Sequence, residues 1–100
     1  MDLNFRQIRA FVSVAQLGSF TRAATALHVS QPALTVQIRK LEEALHSRLL
    51  DRNSRSVALT RAGRELLPSL QRMVQEMEIS PKAFAAAKAQ RMAGRNVEIR

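Results

Sequence analysis

The sequence has no cysteine, no tryptophan and no tyrosine, and only four phenylalanines among its 100 residues. Without cysteine, the chain can form no disulfide, thiol nucleophile or thiolate metal site. No apolar run reaches the length of a signal peptide or membrane span, so we expect a cytoplasmic protein outside the membrane. Because the two histidines have no matching carboxylate spacing and no nucleophile pattern appears, we predict no metal site, no catalytic residues and no enzyme.

Acidic residues are also scarce, with eight Asp and Glu against sixteen Lys and Arg, which gives a formal net charge of +8. The basic excess is the same in residues 1–60 and 61–100, and no block of like charges indicates a disordered basic tail. This balance favours a polyanionic partner. A small basic RNA-binding protein is a further alternative, but the few aromatic residues argue against it, because bases of RNA are often stacked on exposed aromatic rings.

Apolar residues recur at helical spacing along most of the chain. Ile8, Phe11 and Val12 indicate a first helix, with Gly18 as its C-terminal stop. Ser19 is a suitable N-cap for a second helix. The small inward residues of this second helix would allow another helix to approach closely; they are Ala23 and Ala24.

A third helix is predicted over residues 31–45. Ser30 is a good N-cap, and Pro32 is tolerated only in a first turn, so the helix should begin near Gln31. Its buried stripe consists of Leu34, Ile38, Leu41 and Leu45. The opposite face carries a mixture of polar and apolar residues: Pro32, Val36, Arg39, Lys40 and Glu43.

Residues 47–60 predict a β-hairpin, with Arg52 and Arg55 near its tip. A fourth helix should open at Thr60 or a neighbour, with a kink at Pro68 and a break near residues 80–81. Its apolar residues form a short coiled-coil-like seam. Because a lone helix beyond a small domain has no other core to meet, we expect this seam to pack against a second copy. The dimerisation residues are Leu66, Leu70, Met73 and Met77, in line with Ala62.

Two helices joined by the short segment at residues 28–30 form a helix-turn-helix pattern, in which the second helix enters the DNA major groove by its N-terminus. The outward residues suit that position. Gln31 can bond base edges, and Arg39 can reach a guanine or a phosphate. Apolar contact with thymine methyl groups would come from Pro32, Ala33 and Val36.

The segments GSFTRAA, LHVSQPAL, QIRKLEE and LTRAG, with Leu50 and Arg52 between the last two, are together highly specific. Over residues 3–77 the chain resembles the N-terminal winged helix-turn-helix domain of LysR-type transcriptional regulators. The resemblance implies a mainly α fold, with three helices and a β-hairpin wing followed by a long linker and dimerisation helix. It also implies a small-molecule effector bound by a separate C-terminal domain, and no cofactor in this segment.

The resemblance further implies which residues contact DNA. Base contacts fall on Gln31, Pro32, Ala33, Thr35 and Val36, and the position of Val36 is often arginine in the family. Pro81 interrupts what is often one long linker helix. Wing and backbone contacts fall on Ser19, Thr21, Arg22, Ser30, Arg52, Arg55 and Thr60.

We therefore predict a winged helix-turn-helix domain at residues 1–60, a linker helix at 61–93 and a hinge at 94–100. The chain should form a homodimer through the linker helix and bind a pseudo-palindromic site in double-stranded DNA, as part of a bacterial transcriptional regulator. The alternative is a helical protein-interaction module without sequence-specific DNA binding, in which the positive charge is incidental.

Overall fold

The computed structural model describes residues 3–51 and 56–79, in which three helices are followed by a two-stranded hairpin and a longer helix. This is the predicted mainly α, winged helix-turn-helix architecture. The hairpin strands pair antiparallel, with Leu50 opposite Leu59 and Asp51 opposite Ala58. The elements are α1 (Phe5–Leu17), α2 (Phe20–Leu27), α3 (Gln31–Leu45), β1 (Leu50–Asp51), β2 (Ala58–Leu59) and α4 (Arg61–Ile79).

Several predictions concern residues outside the described part of the chain. The hairpin tip, with Arg52 and Arg55, is one of them. The others are the break near residues 80–81, the rest of the linker segment to residue 93 and the hinge at 94–100. These remain predictions.

The helices α2 and α3 begin as predicted, each with a serine as its N-cap. The Oγ of Ser19 accepts a hydrogen bond from the N–H of Arg22 at 3.1 Å, and the Oγ of Ser30 accepts one from Ala33 at 3.2 Å. Each bond satisfies a backbone donor that has no partner inside the helix. Pro32 lies in the first turn of α3, where its missing N–H costs nothing.

The first three helices all end at a residue in the left-handed backbone region. Gly18, the predicted stop of α1, has φ of 65°. His28 ends α2 with φ of 57°, and His46 ends α3 with φ of 52°. Both histidines are exposed, and the backbone N–H of each caps the end of its helix. A left-handed histidine is less favourable than glycine, because its Cβ crowds the backbone.

Helix α1 lies at the centre of the domain and packs against α2, α3 and α4. Its Phe11 and Val14 are fully buried. In α2, Ala23 and Ala24 are buried, as expected for a close helix approach. The predicted stripe of α3 also faces the core, with Leu34, Ile38 and Leu41 buried and Leu45 packed against them. Because this stripe is inward, the opposite face of α3 must point outward.

Helix α4 continues through Pro68 as one element and returns to the core of the domain. Leu70 is 8 % exposed and Val74 is 5 % exposed, and both belong to the same core as α1. The expectation that this helix has no core of its own to meet is therefore wrong for the part of α4 up to Val74. Met73, by contrast, is 48 % exposed, so part of the predicted seam remains on the surface.

Candidate nucleic-acid interface

The outward face of α3 brings the predicted base-contacting residues together. Gln31, Pro32 and Ala33 are exposed at its N-terminus, and Val36 is 46 % exposed one turn later. Thr35 is half-buried. One shallow surface groove is lined by Gln31, Pro32, Thr35, Val36 and Arg39. The groove therefore combines an amide, a hydroxyl, a guanidinium and two apolar side chains along one side of a single helix.

The hydroxyl of Thr35 is partly used within the helix. Its Oγ1 donates a hydrogen bond to the backbone carbonyl of Gln31 at 3.1 Å. A hydroxyl has one hydrogen and two lone pairs, so Thr35 can still accept a bond from a base amino group, and its methyl can contact thymine. In this arrangement Gln31 is the neutral residue of the groove that can both donate and accept at a base edge.

The two serine caps keep a hydrogen to donate. Ser19 and Ser30 each accept a bond from a backbone N–H, which leaves their hydroxyl hydrogens available to a phosphate oxygen. The N-terminal ends of α2 and α3 add unpaired backbone N–H groups and a positive dipole end. Thr21 and Arg22 are exposed in the first turn of α2, as a backbone contact requires.

Thr60 is different, because its hydroxyl is committed inside the protein. It donates a hydrogen bond to the carbonyl of Arg48 and accepts one from the N–H of Gly63 at 3.0 Å. Its backbone N–H donates to the carbonyl of Leu49 at 3.0 Å. Thr60 is thus the N-cap of α4 and ties that helix to the start of the hairpin. Its predicted contact with DNA is not needed to explain its presence.

The positive charges near this face are not neutralised within the described part of the chain. Arg22 and Arg39 are exposed and form no ion pair there. The ion pair of Arg61 with Glu65, at 3.1 Å, lies on α4 and is exposed on both sides. The guanidinium of Arg22 in the first turn of α2 and that of Arg39 in the groove of α3 can each attract phosphate.

Comparison with known proteins agrees with this geometry. Residues 5–64 match the family model described as bacterial regulatory helix-turn-helix protein, lysR family. The chain belongs to this family. The predicted resemblance to the DNA-binding domain of LysR-type regulators is thereby confirmed. The protein-interaction alternative has no comparable support.

The LysR-family domain is 44 % identical over 78 residues to the HTH-type transcriptional regulator YbhD of Escherichia coli, covering 78 % of this chain and 25 % of YbhD. The BenM DBD, solved as a complex with catB site 1 DNA, matches with a TM-score of 0.73 and 33 % identity. That match covers 91 % of this chain and 97 % of the BenM chain. DarR of Vibrio fischeri, solved in complex with DNA, matches with a TM-score of 0.75 and 26 % identity. That match covers 90 % of this chain and 31 % of the DarR chain. The chain spans about a quarter of the length of YbhD.

Two structural residues of the LysR-family domain were not expected from its sequence. Glu42 is 7 % exposed, and its Oε2 accepts hydrogen bonds from the N–H of Leu49 at 2.8 Å and of Leu50 at 3.2 Å. The sequence offered one signal for it. Glu42 follows Ile38 by four positions and therefore falls at the edge of the buried stripe of α3.

Gly63 is the second unexpected residue. It is buried in the first turn of α4, where a Cβ would lie 2.2 Å from the carbonyl oxygen of Leu49. Only glycine allows this approach of helix to hairpin. The segment LTRAG, which carried part of the family resemblance, contains this glycine, but the reason for glycine there appears only once the contact with Leu49 is known.

Residues 3–51 and 56–79 contain no cluster of three His, Cys, Asp or Glu residues that could hold a metal ion. In the same ranges, no helix of the LysR-family domain is both long and apolar enough to cross a membrane. Because its relatives are transcriptional regulators, the assignment agrees with the prediction that the chain is not an enzyme.

Proposed function

We propose that α3 enters the major groove of double-stranded DNA, with its N-terminal groove residues on the base edges. The observation that carries the proposal is the exposure of Gln31, Pro32 and Val36 in one groove at the serine-capped N-terminus of α3. The major groove admits one α-helix and presents a distinct pattern for each base pair. The N-terminal face of α3 has the size and chemistry for that contact.

Within this proposal, affinity and specificity have separate sources. Phosphate contacts are proposed for Ser19, Thr21, Arg22 and Ser30, and the sequence predicts further ones from Arg52 and Arg55. These contacts set the register on the duplex. Gln31 selects among base edges, and Arg39 binds a guanine or a phosphate. Val36 replaces the arginine common in the family, so steps that carry a thymine methyl should be preferred there.

We also propose a homodimer formed through α4. Met73 is 48 % exposed on this helix, and Leu66 is only partly buried against the core. Together with Met77, which is half-buried, they form an apolar strip beside the buried Leu70. Two protomers related by a two-fold axis would place their α3 helices in grooves about one helical turn of DNA apart, or a multiple of that.

The remaining functions belong to the whole regulator. A cytoplasmic location follows from binding chromosomal DNA in a bacterium. A small-molecule effector would bind a separate C-terminal domain. We therefore expect no effector to bind residues 1–100. No cofactor is needed for the binding that we propose.

The test is fluorescence anisotropy of the 100-residue chain with labelled duplexes. Selection from random duplexes first gives a preferred site, and a scrambled duplex of the same composition is the control. We expect the logarithm of the binding constant to fall linearly with the logarithm of salt concentration on both duplexes, with tighter binding to the selected one. Equal affinity for selected and scrambled duplexes at every salt concentration would overturn the proposed base contacts.

A further inference from the structure

Glu42 carries a charged group that the proposed DNA contacts do not use. It lies on α3, yet its carboxylate is buried and turned away from the groove lined by Gln31 and Val36. Its neighbour Glu43 is exposed. A charged side chain is rarely buried unless it makes strong hydrogen bonds, because desolvation of the charge is costly. A specific role for this carboxylate is therefore required.

The bonds of Glu42 join the recognition helix to the first residues of the hairpin. Oε2 receives the N–H groups of both Leu49 and Leu50, whose side chains are 0 % and 2 % exposed. Bonds from backbone N–H groups to a carboxylate are shorter and stronger than those to a neutral acceptor. The start of β1 is thus held to α3 by a charged group in a buried place.

The same backbone segment is also fixed from the other side. The carbonyl of Leu49 accepts the N–H of Thr60 and lies against Gly63 in the first turn of α4. Leu49 therefore connects α3, the hairpin and α4 through its own backbone. A change at Glu42 would alter where the hairpin leaves α3, while the N-terminal end of α3 would remain held by the core.

We propose that Glu42 is a positioning residue for DNA binding, which holds the start of the wing at Leu49 and Leu50 at a set place relative to α3, so that α3 and the wing contact one duplex together. This proposal rests on the proposed function of α3 and the wing. Glu42 does not itself touch DNA. Its effect on affinity should pass entirely through the wing and leave the base preference of α3 unchanged.

The first experiment needs no DNA. Amide hydrogen exchange of the wild-type chain should show Leu49 and Leu50 protected as strongly as core amides such as that of Leu41. In Glu42→Gln, protection at these two amides should fall by about tenfold or more, since a charge-assisted bond is lost. Glu43→Gln is the matched control and should leave protection unchanged. Fast exchange at Leu49 and Leu50 in the wild-type chain would overturn the proposal even if the variant did not fold.

The second experiment measures binding to the selected duplex, at a temperature where circular dichroism shows every variant to be folded. We expect Glu42→Gln to weaken binding about tenfold and Glu43→Gln to have no such effect. A variant with Arg52 and Arg55 both changed to Ala removes the net positive charge of the wing, because the remaining Arg48 and Asp51 offset each other. Adding Glu42→Gln to that variant should cause little further loss, because the wing no longer contributes.

The combination with Gln31→Ala gives the opposite expectation. Glu42→Gln should lower affinity by the same factor in that background as in wild type, because the two residues act through different parts of the interface. Glu42→Gln should not lower DNA affinity by the same factor in the Arg52→Ala, Arg55→Ala variant and in the Gln31→Ala variant; equal factors would mean that Glu42 only stabilises the fold. Unchanged DNA binding by the single variant Glu42→Gln would mean the same. If the wild-type chain bound no duplex selectively, the proposed function would fail together with this role in DNA binding. Hydrogen exchange would still decide whether Glu42 holds the hairpin.

Discussion

The α carbon of Gly63 lies against the main-chain carbonyl of Leu49, so that a Cβ at residue 63 would stand 2.2 Å from the carbonyl oxygen. That distance is far inside van der Waals contact, and the neighbour is backbone rather than a flexible side chain. Leu49 cannot retreat easily, since its N–H is bonded to Glu42 and its carbonyl accepts the N–H of Thr60. The junction of α3, hairpin and α4 therefore depends on a residue without a side chain.

Gly63→Ala should destabilise the domain, although alanine is the better helix former. We expect a loss of about 1–3 kcal/mol in the free energy of unfolding, because overpacking at the backbone outweighs a propensity gain of about 1 kcal/mol. Urea denaturation followed by circular dichroism measures it. Ser69→Ala, at an exposed position of the same helix, is the control and should stay within about 0.5 kcal/mol of wild type. A more stable Gly63→Ala would contradict the contact.

His28→Gly should stabilise the domain, and so should His46→Gly. Both histidines have positive φ and are exposed, so glycine removes backbone strain without loss of a buried contact. We expect a gain of about 0.5–1 kcal/mol for each, after the extra flexibility of glycine in the unfolded chain is subtracted. Thermal or urea unfolding measures the gain. His28→Ala keeps the Cβ and should show none of it, so an equal gain for alanine would point to another cause.

Substitutions of Leu70 and Met73 should affect two different properties, the stability of the protomer and its dimerisation. Leu70→Ala opens a cavity in the core and should cost about 2–4 kcal/mol in the free energy of unfolding. Met73→Ser changes an exposed position, so it should leave the fold intact but weaken association of two copies. Sedimentation over a range of protein concentrations measures that association. If Met73→Ser and wild type had the same dimer dissociation constant, another face would have to form the dimer.

Two substitutions should separate the two roles of Ser30, which are the cap of α3 and the proposed phosphate contact. Ser30→Ala loses the bond to the N–H of Ala33 and should cost about 1 kcal/mol of stability. Ser30→Asp keeps a good cap but places a negative charge where we propose a phosphate. It should remain as stable as wild type and bind every duplex about tenfold or more weakly.

The control for Ser30→Asp is Asn4→Asp. This variant replaces the N-cap of α1 and adds a negative charge on a different helix from the proposed groove residues. Asn4 Oδ1 accepts the N–H of Gln7 at 3.1 Å, so the cap can again be kept. An equal loss of DNA affinity in both variants would show that net charge alone is responsible, and that Ser30 has no local contact.

Gln31 and Arg22 should affect binding in different ways. Gln31→Ala removes a base contact, so it should weaken the selected duplex by about 1–3 kcal/mol and the scrambled one hardly at all. Arg22→Ala removes a phosphate contact and should weaken both duplexes alike, with a salt slope reduced by about one. Anisotropy titrations on both duplexes across a salt series measure these effects. If Gln31→Ala also weakened both duplexes equally, Gln31 would not contact a base.

Local features of this fold could be predicted because their causes lie within a few residues. Ser19 and Ser30 cap the N–H three positions ahead of them, and Gly18 ends α1 by its own backbone freedom. The buried stripe of α3 follows from helical periodicity alone. The same periodicity turns Gln31, Pro32 and Val36 outward, so the candidate base contacts also follow from the order of residues along the chain.

Contacts between elements could not be predicted in this way. By sequence, Glu42 is one of two adjacent acids on a helix, and only the position of the hairpin beside it explains its burial. Leu70 fits an intermolecular seam as well as an intramolecular core. The spacing of apolar residues by four and three positions shows only that one face of the helix is apolar. Which surface covers that face depends on where α4 turns relative to α1.

By itself, therefore, the sequence determined the helices, the ends of the first three, the outward face of α3 and the family to which the chain belongs. These follow from backbone conformation and side-chain periodicity, which act over one or two helical turns. Only the tertiary structure decided that Glu42 holds the hairpin, that Gly63 must lack a side chain, that the Thr60 hydroxyl is used internally and that Leu70 packs within the protomer. Each of these depends on a distance between two elements, and hydrogen bonds and close packing act only when that distance is met.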